Sequence, residues 1–241
     1  MRSRRKSCAS FGCGLLTARV PNCGYSIIQA SVPEAMASVD PSQNYFSLAP
    51  ENLNYSAIGI GPGLGTDSET VKAFAKVLRQ YKRPMVIDAD ALNMLAMNPE
   101  LMDLVPEHSI LTPHPKEFER LAGNWSDDFT RLELLRSFSK KIKSIVILKG
   151  AYSSVAMPDG NVFFNSSGNP GMATGGSGDV LTGILTGLLA AGYSPSETAL
   201  LGVFLHGLAG DLAVLDGSAE SLIASDLIEY LPSAFKKLSF A

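Results

Sequence analysis

The sequence predicts an α/β fold in which helices cover a largely parallel β-sheet. Short β-branched runs alternate with helical patterns, at a spacing typical of strand–helix–strand units. The strand candidates are apolar throughout, as expected when both faces of a sheet are covered. The 241 residues are 46% hydrophobic and 18% charged, which is enough to bury a sizeable core in one large domain or two small ones.

Five short runs are strand candidates, and seven longer patterns are helix candidates. The predicted strands are residues 26–30, 57–60, 85–88, 109–111 and 145–149. The predicted helices are residues 68–81, 91–96, 115–121, 127–141, 178–191, 196–216 and 225–238. Residues 151–157 and 161–164 flank a Pro-Asp-Gly tight-turn signal, so they predict an antiparallel hairpin at one edge of the sheet.

Charge, hydropathy and cysteine usage restrict the partners and the compartment. Lys+Arg is 20 and Asp+Glu is 23, and four of the bases lie within residues 2–6, so the rest of the chain is acidic. We therefore expect no nucleic-acid partner. The longest apolar stretches are interrupted by polar residues, so we expect no membrane partner and interpret them as core helices. Three clustered cysteines fit neither a disulfide framework nor a zinc site and favour the cytoplasm.

Polar or glycine-rich clusters follow three consecutive predicted strands. They are GPGLG at 61–65, DAD at 88–90 and TPHPKE at 112–117. Ligands of open α/β sheets bind beyond the carboxyl ends of the strands, so we expect a site at this edge. Gly63 would let a ligand approach the backbone closely, although the same glycines also suit a plain strand-to-helix turn. Of Asp88 and Asp90, we expect at most one to face the site.

Two further groups carry charges suited to a phosphate or a metal. His114 and Glu117 have i, i+3 spacing at a predicted helix start, so the pair could bind a substrate or a hydrated Mg²⁺. Charge complementation of that helix N-terminus by Glu117 is the alternative. Lys149 ends a predicted strand and could meet a phosphate, with Gly150 beside it for a nucleotide. His206 lies within an apolar helix and is expected to be a core residue.

The run GMATGGSGD at 171–179 leads directly into an apolar helix and carries the strongest chemical signal. Glycines let the backbone turn sharply and point several N–H groups inward, and a helix start adds a partial positive charge. Together these features predict a phosphate or oxyanion site. Asp179 would lie in the first helical turn, where a carboxylate beside an anion suggests a proton-transfer role. A plain helix cap is the alternative.

Known phosphate and nucleophile motifs do not account for these runs. The GxxxxGK[ST] pattern is absent, which excludes a Walker-type nucleotide hydrolase. Gly175–Asp179 lacks the last glycine of a GxSxG nucleophile elbow, which disfavours a serine hydrolase. GPGLG is not the GxGxxG fingerprint of dinucleotide-binding dehydrogenases either.

As a set, these blocks resemble the NAD(P)H-hydrate dehydratase family, a branch of the ribokinase-like superfamily. IGPGLGTD, VIDADALN, LTPHPKEFERL, VILKGAYSSV and NPGMATGGSGDVLTGILTGLLAAG stand in the family's order, and HGLAGDLA at 206–213 fits as well. The resemblance begins at about residue 14. It implies a ribokinase-like three-layer α/β/α sandwich with a mostly parallel central sheet and an antiparallel hairpin at one edge.

The resemblance also implies a function. Family members repair NADH or NADPH whose nicotinamide ring has added water, and they remove that water from the S epimer at the expense of a nucleotide. TPHPKEF resembles the bacterial type, so ADP is favoured over ATP, and Mg²⁺ is implied. The family further suggests a homo-oligomer, commonly a tetramer.

Individual roles carry over by motif. Asp179 would be the general base, and Glu117 would contact Mg²⁺ through water. The substrate-binding residues implied are Gly63, Gly65, His114 and Asp179. The nucleotide-binding residues implied are Lys149, Gly150, Ala151, Tyr152, Ser153, Gly175, Gly176 and Gly178.

The N-terminus departs from the family pattern. Residues 1–13 form an atypical basic segment, and residues 14–241 are expected to form the dehydratase domain. The family normally opens with an additional strand, whose loss would leave one sheet edge unpaired. Because of this departure, a truncated relative that binds nucleotide without turnover stays open as an alternative. A small-molecule kinase of the same superfamily is a second alternative, disfavoured because His114 stands where those kinases have Asn.

Overall fold

The computed structural model of the protein describes residues 14–239, so the segment 1–13 lies outside the described residues. The strands in this range are β1 (Thr17–Val20), β2 (Met36–Val39), β3 (Gly59–Ile60), β4 (Val86–Ile87), β5 (Ile110–Leu111), β6 (Ile145–Leu148), β7 (Ser154–Ala156) and β8 (Val162–Phe164). The α-helices are α1 (Tyr25–Ser31), α2 (Ser68–Gln80), α3 (Ala89–Met97), α4 (Pro115–Ala122), α5 (Asp128–Ile142), α6 (Ser177–Ala190), α7 (Pro195–Asp216) and α8 (Ala224–Ser239).

Strands β3 to β8 form one sheet whose spatial order follows the chain order. The strands from β3 to β6 pair in parallel, whereas β7 pairs antiparallel with both β6 and β8. The predicted mostly parallel sheet with an antiparallel hairpin at one edge is confirmed. Right-handed crossovers between strands added in one direction place α2 to α5 on the same face of the sheet.

The sheet lies between two helical layers, because alternate residues along its strands point to opposite faces. Ile87, Leu111 and Val146 pack in one apolar cluster with residues of α2, α3, α4 and α5. Their neighbours Val86 and Ile110 pack in a second cluster with residues of α6 and α7. The three-layer α/β/α sandwich implied by the family resemblance is therefore the observed architecture.

Several helices begin at local signals that the sequence carries. Ser194 and Glu197 form a capping box at the start of α7, and Asp127 and Thr130 form one at the start of α5. Each box satisfies backbone N–H groups that have no partner inside the helix. The boundaries predicted for these helices consequently lie within a residue of the observed ones.

The prediction of a strand at residues 26–30 is wrong, because this stretch lies in α1. Ile28 is buried whereas its neighbour Ile27 is 61% exposed, which is how a short helix presents a single apolar residue to a core. The adjoining strands β1 and β2 are parallel, and a parallel pair requires a crossover between its members. The helix α1 provides that crossover.

Strands β1 and β2 form a two-stranded sheet separate from the six-stranded one. They share a small core of their own with α1, made of Ala18, Val20, Ile28, Val32 and Ala35. Within residues 14–239, β3 pairs only with β4, and Gly59 on β3 is exposed. Among the described residues, β3 is thus one edge of the six-stranded sheet, and an edge left unpaired by a missing opening strand stays a prediction.

Helix α7 is long and apolar enough, by length and composition, to cross a membrane, with a mean hydropathy of 1.7 in its most apolar window. Half of that window is buried inside the protein. Leu205 and Ala209 pack with α6 and α8, and Val203 packs toward the sheet. These contacts support the interpretation of α7 as a core helix.

Candidate active site

The glycine-rich run ends at the N-terminus of α6, as the sequence predicts. Gly176 adopts a left-handed conformation (φ 89°) directly before the helix, and Asp179 lies in its first turn. The first amides of a helix have no intrahelical acceptor and carry its positive end, so this turn suits an anion. A Cβ at Gly175 would meet nothing within 4 Å, so there is open space beside the turn for a ligand.

An ion pair lies beside this turn. Lys149 Nζ, at the end of β6, donates a hydrogen bond of 2.7 Å to Asp88 Oδ1, which follows β4. Thr182, one turn into α6, donates to the other carboxylate oxygen of Asp88 at 2.8 Å. A Cβ on Gly178 would lie 3.4 Å from Lys149 Nζ, so the ammonium reaches the first turn of α6. These contacts bring three separate sequence motifs together.

His114 and Glu117 form a capping box at the start of α4. His114 Nδ1 accepts the backbone N–H groups of Lys116 and Glu117, so the ring N–H lies at Nε2, which is 3.4 Å from Glu117 Oε1. Glu117 Oε2 accepts the backbone N–H of His114 at 2.8 Å and lies 3.9 Å from Lys149 Nζ. The helix-capping alternative for this pair is thus observed, and His114 remains half-exposed at the edge of the site.

The carboxylate of Glu117 does not fit a direct ligand of Mg²⁺. It is buried, it caps a helix, and it lies beside the Lys149 ammonium. Among residues 14–239, no three His, Cys, Asp or Glu side chains are grouped so as to hold a metal ion. A contact from Glu117 to Mg²⁺ through water stays a prediction.

The GPGLG loop lies next to the DAD motif. Gly61 (φ 134°) is buried, and a Cβ there would clash with the carbonyl oxygen of Asp88. Gly65 donates its backbone N–H to Asp90 Oδ2 at 2.9 Å, so Asp90 fixes the loop while Asp88 points to Lys149. Gly63 (φ 66°) is exposed at the tip and available for close approach. The expectation that the two aspartates face different ways agrees with this arrangement.

The predicted nucleotide loop after β6 lies at the surface. Its first residue, Lys149, is tied to the TPHP segment by a backbone hydrogen bond to Pro113 O. Gly150 and Ala151 are exposed, and Ser153 Oγ donates to Gly150 O. Tyr152 is 76% exposed and borders a cleft of about 360 Å³. Other residues lining this cleft are Phe129, Leu148, Ser154 and Phe164.

Two side chains from α7 support the glycine-rich run, and sequence reasoning did not assign either of them to the site. His206 Nε2 lies 3.0 Å from Ser177 O and 3.2 Å from Ser177 Oγ, at the start of α6. Asp211 accepts hydrogen bonds from Gly168 N and Asn169 Nδ2, which precede the run. The shared HGLAGDLA segment, with two polar residues five positions apart, was the available signal.

Replacement of His206 should reduce the loss of unfolding free energy that occurs as the pH falls below 6.5. Desolvation lowers the pKa of His206 to about 4, so the unfolded chain binds one more proton between roughly pH 6.5 and 4. The pKa difference of His206 therefore contributes to the free energy of unfolding above pH 6.5. This contribution, about 3 kcal/mol at most, is lost as the pH falls toward 4. The variant His206→Gln, which keeps a donor for Ser177 O, should lack this component in urea unfolding measured from pH 4 to 7. Parallel wild-type and variant curves would contradict the prediction.

The fold and the site geometry together define a class: a ribokinase-like α/β protein in which a glycine-rich turn precedes a helix with an acid in its first turn. The family model described as NAD(P)H-hydrate dehydratase matches residues 5–233. The chain therefore belongs to the NAD(P)H-hydrate dehydratase family. This membership confirms the family resemblance of its motifs.

Named relatives and solved structures agree with this assignment. The bifunctional NAD(P)H-hydrate repair enzyme Nnr of Moorella thermoacetica is 38% identical over 239 residues, covering 94% of this chain and 45% of its own length. The ADP-dependent (S)-NAD(P)H-hydrate dehydratase of Bacillus subtilis is 35% identical over 185 residues, covering 76% of this chain and 65% of its own length. The chain spans less than half the length of the first curated relatives it matches.

The structural comparison covers almost the whole chain. The crystal structure of the ADP/ATP-dependent NAD(P)H-hydrate dehydratase of Bacillus subtilis, co-crystallised with ATP/Mg²⁺ and soaked with CoA, aligns with a TM-score of 0.85 and 30% identity. The alignment covers 98% of this chain and 86% of the other. A hydroxyethylthiazole kinase of Pyrococcus horikoshii aligns with a TM-score of 0.63 at 15% identity, which shows a shared fold alone.

Proposed function

We propose that this protein dehydrates the S epimer of hydrated NADH or NADPH and so regenerates the reduced cofactor. A nucleotide drives the reaction, with ADP favoured over ATP. The observation that best supports this proposal is the position of Asp179. The left-handed backbone at Gly176 places Asp179 in the first turn of α6, and the Lys149 ammonium lies beside this helical turn. The printed names of relatives, dehydratases dependent on ADP or on ADP/ATP, support the same reaction.

The chemistry requires a better leaving group than hydroxide. Asp179 accepts the proton of the ring hydroxyl while that oxygen attacks the terminal phosphorus of the nucleotide. The oxygen bridging that phosphorus to the rest of the nucleotide leaves with the bond's electron pair. The ring-nitrogen lone pair then expels inorganic phosphate, and loss of a ring proton restores the dihydronicotinamide. Amides of the glycine-rich turn hold the negative oxygens during transfer.

The remaining predicted residues take binding roles. Gly175, Gly176 and Gly178 would form the anion hole, with Lys149 and the loop from Gly150 to Ser153 along the nucleotide. The dinucleotide would lie against Gly63, Gly65 and His114. Gly65 already donates its N–H to Asp90, so its contact would be steric. His114 uses Nδ1 for helix capping and its Nε2 lies 3.4 Å from Glu117 Oε1, so a ligand would meet the exposed part of the ring.

Further properties of the protein are also part of the proposal. The side chains of residues 14–239 do not fit an Mg²⁺ ion held by the protein alone. Cytoplasmic location follows from the metabolite-repair role, and Cys23, the cysteine within residues 14–239, is a free thiol, as suits a reducing compartment. A homotetramer stays a prediction.

Recovery of NADH absorbance at 340 nm tests the proposed function. The full chain is incubated with hydrated NADH or NADPH and with ADP or ATP in parallel. We expect recovery only with nucleotide, faster with ADP, and one inorganic phosphate released for each NADH formed. A stable phosphorylated product without recovery would indicate a small-molecule kinase instead. Binding of ADP without recovery would indicate a nucleotide-binding protein without this turnover.

A further inference from the structure

We infer that Asp88 is a positioning residue that holds the Lys149 ammonium beside the first turn of α6. The inference rests on the proposed function in one respect, namely that this turn receives the nucleotide phosphates. Sequence reasoning expected at most one of Asp88 and Asp90 to face the site and gave Asp88 no partner. Three observations define the role.

The first observation is that both carboxylate oxygens of Asp88 are committed. One accepts from Lys149 Nζ at 2.7 Å and the other from Thr182 Oγ1 at 2.8 Å. The Asp88 side chain is 2% exposed and that of Lys149 is 21% exposed. Asp88 is therefore buried behind the ammonium, and a ligand at α6 would meet Lys149 first.

The second observation is a backbone arrangement that aims Asp88 at this place. Ala89 has a left-handed φ of 48°, which is strained for a residue with a side chain. Gly61 has no Cβ, so the Asp88 carbonyl can lie against β3. The chain thus turns abruptly from β4 into α3, and the Asp88 side chain reaches toward α6 instead of continuing the strand.

The third observation is the sign of the local charge. Asp88 and Glu117 both lie near Lys149, so two carboxylates accompany one ammonium beside a predicted phosphate site. Placed there without another role, Asp88 would repel a phosphate. A lysine side chain has four rotatable bonds, and fixing its conformation before the ligand binds removes the entropy cost of ordering it on binding. The ion pair with Asp88 provides that ordering.

Neutralising Asp88 therefore changes the affinity for phosphate-bearing ligands in opposite directions, depending on whether Asp88 positions Lys149 or is only a nearby negative charge. If Asp88 positions Lys149, Asp88→Asn weakens the binding of phosphate-bearing ligands. If Asp88 is only a nearby negative charge, the same change strengthens it. We expect isothermal titration calorimetry to show about a tenfold weaker affinity for ADP and an unchanged affinity for adenosine, which has no phosphate. Unchanged or tighter ADP binding would overturn the inference.

A double-mutant cycle tests whether Asp88 acts through Lys149. In a Lys149→Met background, which is itself expected to bind ADP weakly, Asp88→Asn should no longer weaken binding and should strengthen it slightly by removing a repulsive charge. An equal loss in both backgrounds would show that Asp88 acts by another route. Glu107→Gln breaks an equally short ion pair with Lys143 on the surface and should leave ADP affinity at the wild-type value.

If Asp88→Asn does not fold, a second pair of variants tests the same inference. Thr182→Val removes the hydrogen bond that orients Asp88, and Thr182→Ser retains it. We expect weaker ADP binding only in the valine variant; equal affinities would overturn the inference. Wild-type protein that binds ADP but restores no NADH would refute the proposed function and leave this inference standing. Wild-type protein that binds neither ADP nor inorganic phosphate would overturn both.

Discussion

Replacement of Asp179 by Asn should abolish dehydratase turnover while nucleotide binding is retained. The amide keeps the size of the carboxylate but cannot accept the proton of the ring hydroxyl. General-base catalysis contributes about 10²- to 10⁴-fold, so we expect kcat to fall by that range. The residue lies in the first turn of α6 and its position depends on the backbone turn at Gly176, so the fold should survive the change.

The measurement is NADH recovery in stopped and continuous assays, paired with calorimetric titration of ADP. Removing a negative charge beside the phosphate site should leave ADP affinity equal to or tighter than the wild-type value. Asp103→Asn makes the same chemical change at an exposed position in a short 3₁₀ helix and should keep full activity. Activity within twofold of wild type in Asp179→Asn would remove this residue from the mechanism.

Replacement of Gly61 by Ala should produce the largest loss of stability among single methyl additions near the site. The added Cβ would clash with the Asp88 carbonyl oxygen and contact Ala91 Cβ at 3.1 Å. The backbone there has φ 134°, a conformation that alone costs a side-chain-bearing residue about 1–3 kcal/mol. With the clash included, we expect a loss on the order of 4 kcal/mol and a Tm lower by about 10 °C.

Gly123→Ala is the matched control. Gly123 also has a positive φ (100°), but a Cβ there would meet nothing within 4 Å. Its cost should therefore be conformational strain alone, about 1–3 kcal/mol. Differential scanning calorimetry of both variants separates the steric contribution from the conformational one. Equal Tm values for the two variants would mean that the approach of Gly61 to Asp88 contributes nothing to stability.

The central elements were predictable because their signals are local. The strands β4 to β6 are short apolar runs, and the start of α6 is marked by a glycine-rich run before an apolar helix. The stretch around α1 carries an ambiguous signal, since five residues with two isoleucines suit a strand or one helical face equally. Its helical state is decided by the parallel pairing of β1 with β2, which is a tertiary contact.

The site was predictable in its motifs but not in its contacts. Gly176, Asp179 and Lys149 are recognisable from the residues around them. The partners of Asp88 are Lys149, 61 positions away, and Thr182, 94 positions away, and no local pattern connects them. His206 shows the same difficulty, because its contact with Ser177 depends on how α7 crosses α6.

The wide sequence separation of these partners has a consequence for how the protein acquires activity. Loops of this length must close before Asp88 meets either partner, and closure entropy makes such contacts late and slow to form. A fragment that ends before α6 would contain all the strands of the main sheet but would lack the Thr182 contact and the α6 and α7 side chains that cover one face of that sheet. The ability to bind ADP should therefore appear last during refolding, after most of the secondary structure has formed.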